Sequence, residues 1–244
     1  MALVPPPPHV HDSLDEESSV CTLDHCFYAF DALYCALTHS EPLPAKLPNE
    51  KYPLFVTWNT RRSGRAPRLR GCIGNFEAQP LHEGLAEYAL ISAFRDHRFN
   101  PIEKRELSSL EAGISLLTDF EDADSYLDWT VGVHGIYISF PHPSTLPSTP
   151  SSDAPSPLSS VASLLTSRVS SKHSFTATYL PEIAPEQGWD KIDAIDSAIR
   201  KAGWNGRITE DLRRSVKVRR YQSRKCSATW DQYVAWRREN GAEI

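Results

Sequence analysis

Leu69-Arg70-Gly71-Cys72-Ile73-Gly74 places a thiol between two glycines, directly after a loop rich in arginine. Glycine without a Cβ lets backbone or ligand approach closely, so the segment reads as a strand built for contact. By simple alternation Arg70 shares the strand face of Cys72. A neighbouring guanidinium favours the thiolate, which is the nucleophilic form. The competing reading makes Cys72 a small core residue and the glycines a bend.

Helices and strands alternate outward from this segment. Upstream, Leu54 to Trp58 reads as a strand. Before it, Leu23, Cys26, Phe27, Phe30, Leu33, Tyr34 and Leu37 recur at spacings of three and four, one apolar helical face, with Thr22 as N-cap and Pro42 and Pro44 beyond its end. Cys26 lies on that stripe. Downstream, Pro80 opens a helix through about Phe94. Ala112 to Thr118, Trp129 to Val133 and Ile136 to Phe140 are expected as strands, with His134-Gly135 as a turn. The strand pattern resumes at Phe175 to Leu180. A helix is expected from about Asp190 to Lys201, closed by Gly203, and a shorter one after Thr209. A basic strand, Val216 to Tyr221, and a final helix capped by Thr229 follow.

Two stretches lack core-forming residues. Residues 1–19 hold four consecutive prolines and an acidic, serine-rich run, and residues 141–172 are dominated by Pro and Ser. The first is expected to be a disordered tail. The second is expected to be a disordered insertion at a hairpin tip, since loop closure costs little more as a loop lengthens. The domain should then span 20–239, with 240–244 as a short tail.

Composition excludes several classes. A net charge of −5 argues against a generic polyanion binder. The five cysteines (21, 26, 35, 72 and 226) contain no Cys-x-x-Cys pair, and Asn-x-Ser/Thr does not occur, so a secreted disulfide scaffold is not expected. No segment approaches the roughly 20 apolar residues of a membrane span. Reduced thiols in the cytoplasm and/or nucleus are expected.

Around Cys72 the candidate partners are His97 and His134, because a thiol nucleophile needs a base within hydrogen-bond reach. No spacing predicts that proximity, and each histidine also suits a local structural role. Arg61, Arg62, Arg65 and Arg68 suit carboxylate or phosphate, or simply face water. Glu186 and Trp189, in Glu186-Gln187-Gly188-Trp189-Asp190, suit a ligand wall, or helix initiation at Asp190 with Trp189 in the core. The basic run from Arg213 to Lys225 suits RNA or an acidic partner, or an edge strand guarded against pairing. No metal-ligand spacing occurs, and nothing identifies a cofactor.

Leu69 to Gly74 resembles the signature of the AMMECR domain family. Phe55-Val56-Thr57-Trp58, Asp96-His97-Arg98-Phe99, Ser115-Leu116-Leu117-Thr118, Val131-Gly132-Val133-His134-Gly135-Ile136, Thr178-Tyr179-Leu180-Pro181-Glu182 and Glu186 to Asp190 follow the family pattern in order. The resemblance covers about residues 21–239 apart from the insertion. It implies an α+β fold of two packed subdomains around antiparallel sheet with flanking helices. It also implies an intracellular protein of unsettled activity, with Memo-type or radical-SAM proteins as possible partners.

Three functions are therefore expected in competition. The first is a binding module for a protein partner or small anionic ligand, centred on Leu69, Arg70, Gly71, Cys72, Ile73 and Gly74. The second is a thiol-dependent enzyme or accessory subunit using Cys72 with Arg70. The third, nucleic-acid association through residues 213–225, is disfavoured by the net charge.

Overall fold

A computed structural model describes residues 20–142 and 174–244. The tail at 1–19 and nearly all of the insertion expected at 141–172 lie outside the described residues. The described elements run α1 (Leu23–Thr38), β1 (Lys51–Thr60), β2 (Arg68–Pro80), α2 (Leu81–Phe94), a 3-10 helix (Lys104–Ser109), β3 (Leu110–Asp122), β4 (Gly135–Pro141), β5 (Ser174–Tyr179), α3 (Ile183–Gln187), α4 (Lys191–Lys201), α5 (Glu210–Ser215), β6 (Lys217–Thr229) and α6 (Trp230–Glu239). The strands form one antiparallel sheet in the order β2-β1-β3-β6-β4-β5. The fold is α+β. It divides into two compact units, one made of residues up to 118 with 223–244, the other of residues 119–222.

In the first unit β1 lies between β2 and β3, and its even-numbered residues Leu54, Val56 and Trp58 point into the core. The Trp58 indole N–H donates to Ala89 O at 3.0 Å, which satisfies a buried donor and pins α2. Phe30 of α1 meets Trp58 edge-on, with ring centroids 5.0 Å apart, and stacks on Tyr233 of α6 at 5.3 Å. The odd-numbered residues Phe55 and Thr57 occupy the opposite face, and Phe76 of β2 packs edge-on against Phe55.

The buried Asp31 carboxylate of this core is well partnered. Asp31 accepts hydrogen bonds from Tyr233 Oη at 2.8 Å, from the Leu43 N–H at 2.7 Å and from Arg237, whose guanidinium also lies over the Tyr34 ring. Both members of the Asp31–Arg237 pair are buried.

The second unit has its own core. Ile136, Ile138 and Phe140 of β4 pack with Ile195, Ala198 and Ile199 of α4 and with Val218 of β6. β4 and β5 pair from Ile136↔Tyr179 to Pro141↔Ser174, so the two strands flanking the insertion do meet. Asp190 caps α4 by accepting from the Ile192 and Asp193 N–H groups.

Three local expectations change. Trp129 to Val133 is a turn, because the Val133 and His134 N–H groups both fold back to Thr130 O and Gly132 takes φ +81°. The α4 C-cap is Ala202, with left-handed Gly203 one residue beyond. The basic strand is longer than expected and is not an edge: β6 pairs with β4, and its Ala228 and Tyr221 are buried.

Arg237→Met should leave the Asp31 carboxylate without its cation and lower unfolding free energy by about 3 kcal/mol in urea melts. A loss below about 1 kcal/mol would show that Tyr233 and the Leu43 amide suffice.

Candidate functional site

The site is assembled around a strand edge. In β2, Trp58 pairs with Gly71 but Asn59 pairs with Leu69, which leaves Arg70 as the extra residue of a β-bulge. Simple alternation from Cys72 back to Arg70 is therefore broken, and Arg70 is aimed along a path of its own. Its Nε and Nη2 donate to the two Glu106 carboxylate oxygens at 2.9 and 3.1 Å. Its Nη1 and Nη2 reach Asn100 O and Pro101 O at 2.7 and 3.2 Å. All three nitrogens hold down the loop that follows α2. Burial pushes the Glu106 carboxyl up, but the hydrogen bonds from Arg70 and from the Glu103 backbone outweigh it and leave a net downward shift.

Gly71 faces the helix. A Cβ placed on it would sit 2.2 Å from Ser92 O, so α2 lies where only glycine permits. Gly74 is equally constrained on the other side, its Cβ position falling 2.2 Å from Leu54 O and 2.4 Å from the Phe55 ring. The two glycines of the signature thus admit a helix backbone and a phenyl ring. Leu69 is exposed and Ile73 half-buried.

The loop after α2 runs along the free edge of β2. The Cys72 N–H donates to Asp96 Oδ2 at 2.9 Å, and Arg98 Nη2 donates to Cys72 O at 3.2 Å. Arg98 also grips Asp96 with two bonds, Nε to Oδ1 at 2.9 Å and Nη2 to Oδ2 at 2.7 Å. A carboxylate and a guanidinium from one tripeptide thereby pair the edge of the strand, much as another strand would. Arg98 holds the Asp96 carboxyl well below the usual carboxylate range; burial opposes this, and the Cys72 and Arg98 amides reinforce it. The Arg98 guanidinium interacts electrostatically with Cys72. The Cys72 thiol is half-buried and accepts the Thr57 hydroxyl at 3.2 Å.

Beside this edge lies an open, polar pocket of about 430 Å³ lined by Arg70, His97, Arg98, Phe99 and Asn100. His97 is exposed in its wall, and the Arg98 side chain is 57% exposed. The structure thus brings Arg70 and His97 together, with Cys72 supplying its backbone N–H and C=O to Asp96 and Arg98 and its sulfur to the Thr57 hydroxyl. Asp96, Arg98, Glu106 and Thr57 are members that sequence reasoning left without a role. The Asp96-His97-Arg98 run was the visible signal, since a carboxylate and an arginine two residues apart can form a fork.

Arg61 of the arginine loop pairs with Glu111, while His134, Glu186, Trp189 and most of the basic run belong to the second unit. His134 Nδ1 accepts the Thr130 N–H at 2.9 Å and closes the 130–134 turn. Gly135 carries the Tyr221 ring, which a Cβ would meet at 2.4 Å. Trp189 is partly buried edge-on to Tyr179, and Glu186 is exposed. In the basic run, Arg213 forks onto Asp196, Arg214 reaches Glu210, and Arg220 bridges Glu121 and Asp128. Among the described residues no helix is long and apolar enough to cross a membrane, and no group of three His, Cys, Asp or Glu could hold a metal ion.

These features define an α+β protein of antiparallel sheet and flanking helices, with an arginine-lined pocket at the edge of its glycine-bracketed strand. The chain belongs to the AMMECR1 family, whose model matches residues 26–226. It is 44% identical over 209 residues to an uncharacterised protein of Arabidopsis thaliana, covering 86% of each chain. It is 34% identical over 235 residues to an uncharacterised protein of Kluyveromyces lactis, covering 86% of this chain and 92% of that one. The crystal structure of an uncharacterised protein from Pyrococcus horikoshii shares the fold with a TM-score of 0.57 at 22% identity, over 83% of this chain and 89% of that one.

Two substitutions probe this edge. Because the folded Asp96 carboxyl is shifted down, its stabilisation is complete above the unfolded value near 3.9 and is lost as pH falls toward the folded one. Asp96→Asn should cost about 2 kcal/mol at pH 7 and flatten the loss of stability below about pH 4, read from urea melts across pH. Gly71→Ala should cost about 3 kcal/mol by displacing α2; an unchanged melt would mean the helix has room to move.

Proposed function

We propose that this chain is a binding module that takes an anionic group, a carboxylate or phosphate on a small molecule or protein segment, into the pocket beside Arg98. The observation that carries the reading is the contrast between the two arginines. Arg70 has every nitrogen engaged in holding the loop. Arg98 uses Nε and Nη2 for Asp96 and Cys72 and, among the described residues, leaves Nη1 without a hydrogen bond on a half-exposed side chain. A guanidinium held rigid by a carboxylate loses little entropy when it binds, which favours recognition of an oxyanion. His97 and Phe99 supply a second donor and an apolar wall.

Under this reading the Leu69–Gly74 signature is the scaffold of the site, and Arg70 positions the loop that touches ligand. The thiol-enzyme alternative needs Cys72 sulfur at the reacting centre. Nucleic-acid binding is less supported, because Arg213, Arg214 and Arg220 already face carboxylates.

Titration of the isotopically labelled full chain with inorganic phosphate, and separately with succinate, should move the amide resonances of His97 to Asn100. Arg98→Ala should weaken that binding about tenfold or more, as expected for a charged hydrogen bond, while Cys72→Ser leaves it within about twofold. Shifts confined to other residues, or indifference to Arg98→Ala, would reject the pocket. Loss of binding with Cys72→Ser would favour the thiol reading.

A further inference from the structure

Three of the five cysteines meet in the first unit although they lie at opposite ends of the chain. Cys226 of β6 sits 2.9 Å from Cys21 Sγ and 3.3 Å from Cys26 Sγ, and 2.9 Å from Thr22 O. Two sulfurs at 2.9 Å are inside ordinary non-bonded contact. They are also closer than the roughly 3.7 Å separating two thiolates on a tetrahedral zinc with 2.3 Å bonds. The spacing therefore suits a direct bond between sulfurs better than a shared metal, and closing to the 2.05 Å of a disulfide needs a movement of about 0.9 Å.

The three thiols differ. Cys226 is only partly buried, whereas Cys21 is buried and Cys26 completely so. The thiol hydrogen bonds from Cys21 and Cys26 lower the Cys226 pKa; burial opposes them, and His25 adds to the lowering. The same contacts and burial push Cys21 and Cys26 up. A half-buried cysteine thus has two buried thiols within reach of its sulfur, either partner of each S···S contact able to donate, and its own thiol donates to Thr22 O. A reactive thiol beside a resolving one has this arrangement.

We propose that Cys226 and Cys21 form a peroxide-oxidisable pair, with Cys226 as the attacking thiol and Cys21 as the resolving one. The Cys226 thiolate attacks one oxygen of hydrogen peroxide. The O–O bond breaks, the other oxygen leaves as hydroxide and is protonated to water, and Cys226 becomes a sulfenic acid. Cys21 then gives up its proton and attacks the Cys226 sulfur, forming the S–S bond and displacing the sulfenic oxygen as a second water. Overall two thiols are oxidised to a disulfide while one hydrogen peroxide is reduced. A small dithiol reverses the reaction by exchange. The bond would join the residue before the α1 cap, Thr22, to the strand that ends in the α6 cap, Thr229.

The test is stoichiometric hydrogen peroxide on the folded full chain, quenched by alkylation and mapped as unreduced peptides. The expected product is two hydrogens lighter, with the Cys21 and Cys226 peptides linked, Cys35 and Cys72 still alkylated, and both thiols restored by dithiothreitol. Oxidation at Cys226 should run roughly tenfold faster than in the urea-unfolded chain. Because Cys26 also lies 3.3 Å from Cys226, replacing Cys21 and Cys26 together by serine should leave a sulfenic acid at Cys226 that dimedone traps. A link between Cys26 and Cys226, oxidation confined to Cys72, or a Cys226 rate no faster than in urea would each overturn the proposal. The wild-type map decides even if a serine variant fails to fold.

Discussion

Helix α2 rests on β2 at a point where no carbon atom fits. The 2.2 Å between a Cβ on Gly71 and Ser92 O sets the height of the helix above the strand. The Trp58 indole bond to Ala89 O fixes its position along the sheet. With the helix seated, the chain leaving it at Arg95 must descend along the edge of β2, and there Asp96 meets the Cys72 amide. Arg98, Phe99 and the pocket wall follow within four residues. The geometry of the site is thus a consequence of backbone approach, and Gly71 contributes to it by having no side chain.

Much of the architecture was legible because it is local. The stripe through Cys26, Phe27, Phe30, Leu33 and Tyr34, the caps at Asp190 and Thr229 and the alternation in Ile136–Phe140 each depend on neighbours a few residues away and formed as expected, while Leu23, at the start of the stripe, is exposed. The turn at 129–133 was misread because Trp, Thr and Val favour strands by composition, whereas the Thr130 carbonyl and Gly132 impose a reversal. The bulge at Arg70 was hidden for a related reason. A single extra residue in one strand shows only when the partner strand is known.

The site was legible in part. Arg70 and His97, both singled out from the sequence, line one pocket. The fork of Arg70 on Glu106 spans 36 residues, and the meeting of Cys21 with Cys226 spans 205, so no spacing rule could anticipate either. The charge clusters show the same limit. The arginines of 213–220 read as a basic strip in sequence, but folding sets Asp196, Glu210, Glu121 and Asp128 against them.

The β4–β5 hairpin closes on itself before the chain between its strands is reached. Phe140 stacks on Phe175 with centroids 5.1 Å apart at the last pairs of the ladder, and the Trp204 ring meets Phe175 edge-on. This aromatic clasp sets the strand register from the ends inward, so the register does not depend on how many residues connect them. Doubling a connection costs only about 0.6 kcal/mol in closure entropy. The position is therefore one at which evolution can lengthen, shorten or replace the polypeptide while the sheet keeps its alignment.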